Sequence, residues 1–90
     1  MKTIIIFDES SWQWVTNPDC NKAFLESGFR YLKDTCDDRG YLYLNRVYEF
    51  LGLKWNPDNE NICFRKENGP IEFDCNKLTE KNAFRIFVTQ

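Results

Sequence analysis

Four cysteines, at positions 20, 36, 63 and 75, are the first residues in this chain that could do chemistry. A thiolate attacks carbonyl carbon and binds soft metals. The chain has no histidine, so a Cys–His nucleophilic pair within one chain is excluded. The spacing C-x15-C-x26-C-x11-C contains no CxxC knuckle. Structural zinc sites draw on such knuckles, so no metal ligand is assigned and buried free thiols are expected. Paired carboxylates stand at Asp8-Glu9, at Asp37-Asp38 and at Glu72 with Asp74. Two acids in one cleft would support acid–base or metal-assisted chemistry. Each of these falls where a solvated turn or strand-edge acid belongs, and nothing in the sequence groups them. There is no Gly-rich phosphate loop and no GxSxG elbow. No catalytic, cofactor or metal residue is assigned, and the chain is expected not to be an enzyme.

The stronger lead is aromatic. Eight Phe, four Tyr and three Trp make 17% of the 90 residues. A buried ring covers about 150–250 Å², so a few would build the whole core and others are left for the surface. Contiguous exposed apolar area marks partner sites. Tyr41, Tyr43, Tyr48 and Trp55, with Arg39 and Arg46 beside them, are the candidate partner-binding residues, because Tyr, Trp and Arg dominate interface hot spots. Trp12 and Trp14 form a second candidate on the same grounds. The alternative for all of these rings is that they half-bury as lids on the core. Tyr43→Ala or Trp14→Ala separates the two readings, since a surface ring leaves stability almost unchanged.

Charge narrows the partner. Twelve Lys and Arg oppose fourteen Asp and Glu, for a net charge of −2. Nucleic-acid binding by counterion release needs a basic face, so no nucleic acid is expected. The opening MKTIIIFDESS is too short in apolar residues for a secretory segment, and no run reaches transmembrane length. The expectation is a cytoplasmic protein with reduced thiols and no membrane partner. A chain of this length makes one domain over 1–90.

The elements that position these residues centre on 40–55, GYLYLNRVYEFLGLKW. It runs between a glycine turn and an Asn-Pro turn. Residues 41–44 read as extended, which puts Tyr41 and Tyr43 on one face. A short helix over about 46–51 is capped by Asn45, with Val47, Phe50 and Leu51 turned inward and Tyr48 outward. Before it, Asn17-Pro18-Asp19 begins a long helix over about 18–37, with Cys20, Phe24, Leu25, Phe29, Leu32 and Cys36 at helical spacing. Gly28 inside that helix predicts a close approach by another element. The continuous run 3–7, TIIIF, reads as a central strand covered on both faces. Residues 12–16 alternate, as a second strand or as a loop whose tryptophans cover the core. Residues 62–66 and 71–75 read as a β-hairpin, placing Phe64 opposite Phe73 and Arg65 opposite Glu72. Pro70 has no N–H to close a tight turn there, so a looser connection is expected. Residues 76–82 read as a polar link. Residues 83–89, AFRIFVT, read as an inner strand beside 3–7. The sum is α+β: a small, mostly antiparallel sheet of three to five strands packed with one long and one short helix.

Within 40–55, the run 41–53, YLYLNRVYEFLGL, followed by a short hairpin with a Gly69-Pro70 turn, resembles small uncharacterised proteins of bacteriophages and prophages in Firmicutes. Those carry an aromatic-Leu-Asn-x-Val-Tyr-x-x-Leu-Gly segment. The resemblance covers about a third of the chain. It implies a mobile-element setting inside a bacterial host cell, where such proteins include virion accessories and inhibitors of host defence.

The function expected on these grounds is a non-enzymatic interaction protein that buries an aromatic patch against a protein partner. A host defence factor is the most concrete partner, and a second copy of the chain is the other. The competing expectations are a self-associating virion structural or assembly accessory and, further off, a small enzyme built on a carboxylate cluster.

Overall fold

The structure is a computed structural model and describes residues 2–78 and 82–90. Local chemistry sets the long helix, α1 (Pro18–Arg39). Asn17 is extended, at φ −82° and ψ 116°, and its Oδ1 accepts from the N–H groups of Asp19 at 2.8 Å and Cys20 at 3.4 Å. Those are donors that a first turn leaves without partners. Gly40 closes the helix at φ 85°, donating its N–H to Cys36 O at 2.7 Å. Only glycine takes that left-handed backbone without strain. The helix therefore runs past the expected residue 37 to Arg39. Leu25, Phe29, Leu32 and Cys36 are buried as expected, but Cys20 is exposed and Asn21 takes the inward position.

The main sheet is antiparallel in the order β1-β5-β4, from β1 (Lys2–Phe7), β4 (Glu72–Leu78) and β5 (Ala83–Thr89). β5 is the inner strand and lies beside β1, as expected from the apolar density of 83–89. Its Phe84, Ile86 and Val88 are buried, together with Ile5 and Phe7 of β1. The reading of β1 as a doubly covered central strand is corrected. It is an edge strand, and Ile4 and Ile6 stay 53% and 42% exposed on the outer face. A sheet this narrow has helices enough to cover only one face, so an unbroken Ile run alternates between core and solvent. β4 continues to Leu78, through the first three residues of what reads as a polar link over 76–82, while 79–81 lie outside the described residues.

A second sheet pairs β2 (Tyr41–Tyr43) with β3 (Cys63–Arg65). This overturns the expected hairpin of 62–66 with 71–75. Phe64 lies opposite Leu42 rather than Phe73, and Arg65 opposite Tyr41 rather than Glu72. A 3-10 turn at Lys66–Asn68 and then Gly69, at φ 102°, turn the chain out of the ribbon into the other sheet. Pro70, which cannot donate to a ladder, sits in that passage. The chain over 12–16 is a loop rather than a strand. Ser11 anchors it, with its Oγ donating to Leu51 O at 2.5 Å.

The short helix α2 (Leu44–Phe50) starts earlier than expected, after Tyr43. Asn45 is not its cap. It lies inside the helix, 5% exposed, donating from Nδ2 to Asn56 O at 3.0 Å and accepting at Oδ1 from Asn56 N–H at 3.2 Å. The Gly28 expectation is met by α2: a Cβ at Gly28 would meet Phe50 Cζ at 2.9 Å and Cε1 closer still. Phe50 fills that space and stacks between Phe24 and Tyr31, at centroid separations of 5.4 Å to each. The fold is α+β, with both sheets antiparallel and both helices against one core.

Candidate functional site

β2 is three residues long, and its alternation sorts them cleanly: Leu42 is buried, while Tyr41 and Tyr43 point outward, 40% and 45% exposed. Their rings meet edge to face, with centroids 5.6 Å apart and planes at 74°. That arrangement aligns ring quadrupoles favourably and fixes both side chains. Arg39, the last residue of α1, and Arg46, in the first turns of α2, flank them. These four residues line one depression of about 180 Å³, together with Thr35 and Leu42. Half of the eight sequence-chosen residues are thus brought to one place.

Arg65 was missed. It is exposed and lies directly opposite Tyr41 across the ribbon, so its side chain shares the face of the two tyrosines. The sequence paired it with Glu72, which in the fold meets Lys33 Nζ at 3.6 Å instead. No local signal could have found it, since the β2–β3 pairing joins segments far apart in sequence. The surface therefore carries three guanidiniums around two exposed tyrosines in a chain of net charge −2. Arg46 Nη1 lies 3.0 Å from Glu49 Oε1, on side chains 45% and 62% exposed. An ion pair this wet is worth about 0–1 kcal/mol, so it holds the guanidinium loosely.

The other four chosen residues lie off this depression. Trp12 is 72% exposed in the loop after β1, and Trp55 is 57% exposed after α2. Trp14 is half-buried against the core, and its Nε1 donates to Asn82 O at 2.7 Å. It ties its loop to the foot of β5, so truncating it removes a structural tie as well as a ring. Tyr48, expected to face outward, is half-buried against the core.

The carboxylates do not converge. Asp8 and Glu9 border a depression with Trp14, Asn82 and Ala83, and Asp8 Oδ1 accepts from Ser10 N–H at 2.9 Å and Ser10 Oγ at 2.6 Å. Glu72 and Asp74 lie on the outer face of the main sheet beside Lys2 and Phe87. Among the described residues, no three His, Cys, Asp or Glu side chains group to hold a metal ion.

All four cysteines are free thiols. Burial pushes the Cys36 thiol up from its usual value near 9.0, aided by Asp37 and Cys63. Burial also raises Cys75, aided by Asp74 and Glu26. Raised thiols favour the neutral form in the fold. Their contribution to stability is complete below the unfolded value and is lost as pH rises through the higher native ones. A thiol-reactive reagent at neutral pH is expected to modify exposed Cys20 first and Cys36 only on unfolding, read by mass spectrometry over time. Fast labelling of Cys36 in the native protein would contradict this burial.

No helix of the described residues is long and apolar enough to cross a membrane. A family model described as a family of unknown function (DUF6353) matches residues 1–89. No curated protein and no solved structure matches the chain.

Proposed function

This chain belongs to that family of unknown function, and we propose that it is a non-enzymatic interaction protein whose Tyr–Arg surface docks an acidic patch of a protein partner. The observation that carries this reading is the gathering of Arg39, Tyr41, Tyr43 and Arg46 around one depression, with Arg65 on the same face. Paired aromatic rings give rigid contact area at little entropic cost, and guanidiniums take carboxylates in bidentate pairs. Both belong to partner recognition more than to catalysis. With the phage-type resemblance of the same segment, the partner is a protein of the bacterial host, and inhibition of a host defence factor is its most concrete form.

The test uses the tagged protein as bait in a bacterial host lysate, alongside Tyr43→Ala and Arg65→Glu baits. One host protein recovered near stoichiometry by the wild type is expected. Each substitution should weaken its binding about 30-fold or more, the scale of a hot-spot loss near 2 kcal/mol. Both side chains are exposed, so thermal stability should stay within about 0.5 kcal/mol of wild type. Recovery indifferent to both substitutions would remove the surface from the reading. Recovery of phage structural proteins alone would favour the virion accessory.

A further inference from the structure

We propose that the Tyr–Arg surface takes its partner as a strand: a short, acidic, extended segment adds to the free edge of β2, in the notch between α1 and α2. This rests on the docking reading above and names the form of the segment that docks. Two bonds fix the phase of the β2–β3 ladder. Lys66 donates its N–H to Gly40 O at 3.0 Å, and Leu44 donates its N–H to Ile62 O at 2.9 Å. Bonded and non-bonded pairs alternate along an antiparallel ladder. Leu42 and Phe64 are therefore a bonded pair, whereas Tyr41 with Arg65 and Tyr43 with Cys63 are not. The backbone groups of Tyr41 and Tyr43 point to the other side, where β2 has no neighbouring strand among the described residues. The Tyr43 carbonyl is taken up by the first turn of α2, whose cap position it holds. The Tyr41 N–H, the Tyr41 carbonyl and the Tyr43 N–H are left, with no hydrogen-bond partner among the described residues.

The depression of about 180 Å³ opens on that side. Thr35 and Arg39 of α1 and Arg46 of α2 line it together with β2, and no residue of β3 does. A partner laid over it strips water from three main-chain groups, and each then costs free energy unless it is paired. Two carbonyls and one N–H at strand spacing answer all three. An extended segment carries them, whereas a helix has paired its own main-chain groups internally. Charge decides the composition of that segment. Two guanidiniums and no carboxylate line the notch. Arg39 stands just before β2 in the chain and Arg46 just after it, so carboxylates on the added strand meet a guanidinium toward either end. The Arg46–Glu49 pair is exposed, and a partner carboxylate can replace Glu49 in it. β2 is three residues long, so it templates a short segment and not an open-ended stack of strands.

Fluorescence anisotropy, with the full chain and a labelled, end-blocked peptide alternating glutamate with valine, tests this. Saturable binding is expected, and the same peptide with lysine for glutamate should not bind. N-methylation is the decisive change, since alternate N–H groups of a strand face opposite edges. Methylating one alternate set should weaken binding about tenfold or more, while methylating the other should leave it within about twofold. In the complex, the Tyr41 and Tyr43 amide protons should exchange with solvent about tenfold more slowly or slower still, read by NMR. Tyr43→Ala and Arg39→Glu should each weaken the peptide, with circular dichroism confirming that both variants are folded. No saturable binding, equal sensitivity to the two methylated sets, unprotected Tyr41 and Tyr43 amides, or a peptide indifferent to both substitutions would each overturn strand docking. The docking reading fails separately, if Tyr43→Ala and Arg65→Glu leave capture of the host partner intact. If they abolish capture while the two methylated sets bind alike, strand docking alone falls.

Discussion

Phe64→Ala is expected to lower the free energy of unfolding by about 3–5 kcal/mol, the range for deleting a fully buried phenyl ring. Phe64 has no exposed surface, although its strand β3 is only three residues long and, among the described residues, pairs with β2 alone. A two-stranded ribbon is marginal on its own. This one is held because Phe64 and Leu42, opposite each other, both turn into the core beside Cys36 of α1 and Ile71. Cys36 Sγ reaches Phe64 O at 4.0 Å, which brings the last turn of α1 against the ribbon. A domain with about 5–15 kcal/mol in total would lose a large share of it. In a denaturant titration the midpoint should fall with little change in slope. Phe64→Leu, which keeps most of the volume, should lose clearly less. A loss below about 1 kcal/mol for Phe64→Ala, the scale of a typical surface or single-methylene change, would mean the ribbon is not seated as described.

That prediction also bears on the candidate site, because the same ribbon presents Tyr41, Tyr43 and Arg65 on its other face. What was legible about it follows from distance along the chain. The alternation Tyr41-Leu42-Tyr43 announces two outward rings over one inward leucine, and Arg39 and Arg46 are near enough in sequence to be named with them. The start and end of α1 were equally open to reading, since Asn17, Pro18 and Gly40 act on their own neighbours. Arg65 was not legible. Its partner strand is set by where Phe64 finds a core, and the Asn-Gly-Pro run beside it carries a hairpin signal that the missing Pro70 N–H does not support. β1 misled for a related reason. A run of isoleucines says that the chain is extended and apolar, but the number of layers around it decides whether both faces are covered, and that is a property of the whole fold. Tyr48 and Trp14 were drawn inward by contacts with residues that the sequence could not place beside them.

Asn21 carries the other large effect. It is completely buried in α1 and grips one residue of the tryptophan loop with both ends of its amide, donating from Nδ2 to Val15 O at 2.7 Å and accepting at Oδ1 from Val15 N–H at 2.9 Å. A loop with no ladder of its own needs such bonds. Asn21→Ala removes both and leaves a void, for an expected loss of about 2–4 kcal/mol, counting about 1–3 kcal/mol for each group left without its partner. Asn21→Asp is the more telling substitution. It keeps an acceptor for the Val15 N–H but turns a carboxylate oxygen toward the Val15 carbonyl in place of a donor. Burial and that carbonyl both favour the protonated acid, so the introduced carboxyl should titrate above the ordinary aspartate value near 3.9. A carboxyl raised in the fold contributes its stability fully below the unfolded value and loses it as pH rises through the folded one. The Asp variant should therefore be as weak as the Ala variant, or weaker, at neutral pH, and should gain on it as the solution is acidified, when the protonated oxygen can donate to Val15 O again. Thermal unfolding of both variants across the acidic range reads the difference directly. If the two melt in parallel at every pH, the Val15 carbonyl bond contributes nothing and the loop is held by Trp14 and Ser11 alone.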